Sequence, residues 1–123
     1  MTGMLTRRDP AALALAYARE GLRVVIACRN AYTASLVLEQ LESLATEAEW
    51  VEPENVRVRR AQGRWSVDLG TDASCPIRLR VAGEGMRGMD ADVLLYDGTA
   101  RVSRLRNLWP IVAGSPHGIT ECW

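Results

Sequence analysis

The chain predicts an α/β domain, a small three-layer-like unit whose parallel core strands are extended by an antiparallel ribbon. Three observations carry this. Helical and short apolar strand patterns alternate at both ends of the chain. Between them the hydrophobic period shortens to two. Glycine and proline punctuate most of the joints.

Asp9-Pro10 is a helix start, with an acceptor side chain for the free amides and a proline at the first helical position. Ala11–Glu20 are good helix formers, and Gly21 stops the helix. Leu22–Cys28 is short, β-branched and almost wholly apolar, the pattern of a strand covered on both faces. Asn30 caps a second helix. Its stripe is Ala34, Val37, Leu38, Leu41, Leu44, Ala45 and Ala48, with Glu39, Glu42 and Glu47 mostly off it.

Val56 and Val58 then alternate with Arg57 and Arg59. Trp65, Val67 and Leu69 alternate with Ser66 and Asp68, and Ile77, Leu79 and Val81 with Arg78 and Arg80. This predicts three strands with one wet face, turned at Gln62-Gly63 and Gly70-Thr71-Asp72. After a loop with Gly83, Gly85 and Gly88, Val93–Tyr96 predicts a second core strand ending at Asp97. A short helix over 99–107 and a third core strand over 111–114 follow, leading into Ser115-Pro116-His117-Gly118.

Length and composition set limits. The 123 residues predict one domain over 1–123, with 1–8 as a flexible terminus. Formal net charge is zero, so no global field favours nucleic acid or an anionic membrane. No apolar run reaches the ~18 residues of a membrane span, and the N-terminus lacks a signal-peptide pattern. A cytoplasmic location is expected. Cys28, Cys75 and Cys122 are too scattered for a disulfide scaffold or a zinc site. His117, the one histidine, reads as a loop residue. All 15 basic Lys+Arg residues are arginine; the chain has no lysine.

Several segments together resemble the ATPase domain of the phage terminase large subunit, a helicase-like P-loop ATPase. Arg7-Arg8-Asp9-Pro10 with the alanine-rich helix after it stands where that family has arginines, Gly-Lys-Ser/Thr and a helix. Leu22–Arg29 resembles its second strand. Gly85-Met86-Arg87-Gly88 through Val93-Leu94-Leu95-Tyr96-Asp97-Gly98 is similar to its Arg-Gly loop and Walker B strand. Ile111–Gly118 is similar to its coupling motif. The family's strand order is 5-1-4-3-2. The resemblance implies a truncated sheet in the order 4-3-2, with 22–28 and 111–114 flanking 93–96 and 111–114 as an open edge. That edge predicts coverage by a second copy, a partner strand or Thr2-Gly3-Met4-Leu5. Trp109, Ile111, Val112 and Trp123 are the interface candidates.

The departures from the family are chemical. A P-loop needs backbone amides around the phosphates and a lysine on them. Pro10 has no amide, and Asp9 sets a negative charge against the anion. Gly98 stands where the family has the glutamate that polarises water. The implied site is thus a degenerate one made of Arg7, Arg8, Asp9, Arg87, Asp97 and Ser115, with Asp97 a vestigial metal ligand. No catalytic residue, ATP or magnesium is expected. The expected function is that of a non-hydrolytic, terminase-like accessory or regulatory protein, phage or prophage encoded, acting on a protein partner or as a homo-oligomer. Two alternatives stand beside it: a weak nucleic-acid-binding module using Arg57, Arg59, Arg78 and Arg80, and an ATPase half-site completed by another chain. Asp90 and Asp92 precede the strand that Asp97 ends, so they form no acid–base pair with it.

Overall fold

The computed structural model describes residues 9–61, 63–70, 76–83, 86, 89–100, 108 and 110–123. The elements are α1 (Pro10–Arg19), β1 (Val24–Cys28), α2 (Ala31–Glu47), a 3-10 turn (Pro53–Asn55), β2 (Arg57–Ala61), β3 (Arg64–Asp68), β4 (Ile77–Val81), β5 (Val93–Tyr96), α3 (Pro110–Ala113) and β6 (Ile119–Cys122). They build one mixed six-stranded sheet in the order β2-β3-β4-β1-β5-β6.

The first helix forms as its sequence dictates. Asp9 Oδ1 accepts from the Ala11 amide at 3.0 Å, and Pro10 opens the helix. Gly21 ends it at φ 84°, a left-handed conformation that a side chain would resist. The buried side of α1 is chiefly Ala11, Ala14, Leu15 and Ala18. Three of the four are alanines, which let this helix lie close against α2 and the sheet. Asn30 caps α2 by accepting from the Thr33 amide at 2.8 Å. The buried residues Ala34, Val37, Leu38, Leu41 and Ala45 keep the predicted stripe.

Both helices lie on one face of the sheet. The main core joins them to Val24, Ile26 and Cys28 of β1, Val67 of β3, Ile77 and Leu79 of β4, and Val93 and Leu95 of β5. The alternate residues of β1 and β5, Val25, Ala27 and Leu94, face the other way. There they meet a second cluster with Met86, Ala91, Leu108, Ile111 and Val112. The neighbouring strands β1 and β5 are thus covered on both sides, which explains their nearly continuous apolar sequence.

Two expectations need correction. Residues 111–114 do not form a core strand. Pro110–Ala113 is a short helix, and the strand beyond β5 is instead Ile119–Cys122, paired parallel with β5 from Val93↔Ile119 to Tyr96↔Cys122. The physical reason is packing. Ile111 and Val112 are adjacent, yet both enter the second core at 3% and 4% exposure. Neighbouring residues of a strand point to opposite faces, whereas one helical turn directs both to the same side. The open-edge expectation for 111–114 falls with the strand itself.

The second correction concerns strand 24–28, which the truncated order 4-3-2 puts at an end of the sheet. The antiparallel ribbon extends the parallel strands as expected, but on that side: β2 pairs antiparallel with β3 and β3 with β4, and β4 then runs parallel to β1 on the side away from β5. Strand 24–28 is therefore internal. The predicted helix over 99–107 falls largely outside the described residues.

Candidate functional site

Asp9 and Asp97 both lie at the carboxyl-terminal end of the parallel strands, the end where open α/β sheets bind ligands. α1 runs into β1 through a short turn, which returns its N-terminus to that end. Asp9 Oδ1 also approaches the Ala12 amide, at 3.4 Å, and so occupies the donors of the first turn. Pro10 contributes none. An incoming phosphate meets a carboxylate there in place of free N–H groups.

Asp97 is fully buried. Its Oδ1 accepts from the Thr99 amide at 2.9 Å and the Thr99 hydroxyl at 2.7 Å. Arg29 Nη1 donates to that same hydroxyl at 2.9 Å, and Arg29 Nε stands 3.9 Å from Asp97 Oδ2. The carboxylate is thus engaged by its own turn and by the residue following β1. Burial, followed by the charge of Asp97, pushes the neighbouring Cys28 thiol up to about 12.

Gly98 follows, and its amide donates to the Trp123 carbonyl at 3.0 Å. A Cβ added at Gly98 would lie 2.5 Å from Cys122 Sγ. A glutamate at this position requires the Cys122 side chain to move first.

Ser115 stands elsewhere. It belongs to the opposite end of the strands, where Asp92 gathers donors from three segments. Asp92 Oδ2 accepts from the Arg23 amide at 2.8 Å and from Arg23 Nε at 3.3 Å. Its Oδ1 accepts from Arg23 Nη2 at 3.2 Å and from the Ser115 hydroxyl at 2.7 Å. Ser115 Oγ accepts in turn from the amides of His117 and Gly118. These bonds, led by the one from the Arg23 side chain, hold the Asp92 carboxyl well below the usual carboxylate range. The cluster ties the entries of β1, β5 and β6 together. Sequence reading separated Asp92 from Asp97 along the strand but gave no hint of Arg23, which lies 69 residues away.

Of the remaining expected residues, Arg7, Arg8, Arg87 and Trp109 lie outside the described set. Ile111 and Val112 are core, and Trp123 is 8% exposed against the main core. Among the described residues, no three His, Cys, Asp or Glu side chains gather in a way that would hold a metal ion, and no helix is long and apolar enough to cross a membrane.

The ribbon arginines do come together. Register places Arg57 opposite Asp68, Arg59 opposite Ser66, and Ser66 opposite Arg78. Arg80 lies two residues beyond Arg78 on the same face. Arg64, paired with Ala61, joins them, which the sequence reading missed. Arg80 is held below its ordinary pKa by burial first and then by the charges of Arg78 and Arg64. Trp65 is on the helix side, packed against the main core.

A second surface feature lies on α2. Tyr32 and Leu36, one turn apart, are 71% and 42% exposed. Leu36 borders a cleft of about 330 Å³ that Asp9, Pro10, Val37 and Trp123 also line.

Comparison of the chain with models of known protein families, with curated proteins and with solved structures finds no match.

Proposed function

We propose that this chain is a non-hydrolytic, terminase-like accessory or regulatory protein, encoded by a phage or prophage and working in the cytoplasm of the host by binding a protein partner. The observation that carries the reading is the N-terminus of α1. Its first donors are taken by the chain's own Asp9 carboxylate, where a nucleotide hydrolase keeps them for phosphate. No lysine exists to compensate.

Three further features support it. Asp97 is buried and bound to Thr99, which leaves it poorly placed for a hydrated magnesium ion. Gly98 is crowded by Cys122. The strands β6, β5 and β1 stand side by side and parallel, an arrangement compatible with the order 4-3-2 once Ile119–Cys122 takes the place given to 111–114.

A protein partner suits the exposed Tyr32 and Leu36, because apolar and aromatic side chains beside a cleft make an anchor for an interface. The test is affinity capture in the chain's own host, with the wild type and a Tyr32→Arg, Leu36→Arg double variant side by side. The reading expects a stoichiometric partner with the wild type and its loss with the variant. Identical captures by both, or none by either, contradict it.

A further inference from the structure

The face of the sheet opposite α1 and α2 is divided in two. Under β1 and β5 it is apolar and covered by the second core. Under β2, β3 and β4 it presents Arg57, Arg59, Ala61, Arg64, Ser66, Asp68, Arg78 and Arg80. Five guanidinium groups thus stand against one carboxylate, Asp68, on the described part of these strands.

Arg57, Arg59 and Arg64 are exposed. Arg57 donates to the carbonyls of Glu54 and Val56, and Arg80 to those of Trp65 and Leu79. Bonds to carbonyls orient a guanidinium without neutralising it. Carboxylates collect on the other side of the molecule, where α2 carries Glu39, Glu42 and Glu47. A chain of zero net charge is therefore polarised, with a positive field on one face.

We infer that the arginine face of β2, β3 and β4 binds the phosphate backbone of nucleic acid without reading base sequence. The inference is independent of the terminase resemblance and of the α2 surface. Charge complementarity and the rigid spacing of the arginines favour a regular polyanion, with Arg forks suited to phosphate oxygens. The composition of the face argues against an acidic protein. Its uncharged members are Ala61 and Ser66, so it lacks the apolar centre on which protein interfaces depend. Among the described residues of β2, β3 and β4 no aromatic side chain shares the face, so these strands offer bases nothing to stack on.

The experiment is fluorescence anisotropy with a labelled random-sequence 20-base-pair duplex, titrated at 50 to 200 mM salt. Three to five phosphate contacts predict a log–log salt slope of about −2.7 to −4.5, and affinity falling about 40- to 500-fold across that range. The Arg59→Gln, Arg64→Gln variant is expected to weaken binding about tenfold or more at 50 mM salt and to flatten the slope by about 2. Both side chains are exposed, and an unchanged far-UV spectrum checks the fold. Arg60→Gln is the matched control, since Arg60 points to the helix side and meets Glu42 at 3.0 Å; binding should not change. Absence of duplex binding at 50 mM salt overturns the inference. So does equal loss with Arg60→Gln, or equal affinity for polyglutamate or phosphatidylserine vesicles.

Discussion

Asp92 joins three segments of this fold through one carboxylate. Its carboxylate accepts from the backbone and side chain of Arg23 and from Ser115. Hydrogen bonds to a charged group contribute about 1.5–3 kcal/mol each, less where solvent reaches the pair, as it does on the Arg23 side. Asp92→Ala should therefore lower stability by about 2 kcal/mol or more in urea denaturation at pH 7. The sign of the pH dependence follows from the depressed pKa. The contribution is fully present above the ordinary value of 3.8 and is lost as pH falls below it towards the folded value. Wild type should lose stability through that acid range, and Asp92→Asn should flatten this part of the profile. Cys28 is the opposite case. Its thiol is buried and raised to about 12, so at pH 8 it stays protonated and unreactive. Iodoacetamide followed by peptide mapping should label exposed Cys122 and spare Cys28 until the chain unfolds.

At the scale of elements, α3 and α1 make separable predictions. Ile111→Ala should cost about 2–5 kcal/mol as a core truncation, measured by urea denaturation. An interface residue would leave the stability of the isolated chain nearly unchanged. Asp9→Ala should cost about 0.5–2 kcal/mol through the lost cap. How much of these elements the sequence revealed depends on the length of each pattern. The stripe of α2 runs over four turns and was unambiguous, as were the alternations in β3 and β4. Ile111-Val112-Ala113-Gly114 is too short for a period, and its apolar character suits a buried helical turn as well as a strand. β6 escaped notice because Thr120 and Glu121 break its apolar run. The shared arginine face followed from counting in twos. Arg64 was missed because it sits at the hairpin, where assignment of a face needs the pairing register. The Arg23–Asp92–Ser115 cluster had no local signature, since its partners meet only once the parallel strands are side by side.

The whole molecule combines a two-sided core with a divided surface: glutamates outside the helices, arginines under β2, β3 and β4, and an apolar step at Tyr32 and Leu36. At the carboxyl-terminal end of its parallel strands Asp9 caps the first turn of α1, and Asp97 contacts Thr99 and Arg29. The central proposal is that this chain neither binds nor turns over nucleoside triphosphate. Thermal unfolding of the purified chain with and without 1 mM MgATP, followed by phosphate release on the same samples, tests it most directly. The account predicts superimposable unfolding curves and no phosphate released. A magnesium-dependent rise in midpoint that grows with ATP concentration as mass action requires, accompanied by turnover, would contradict it.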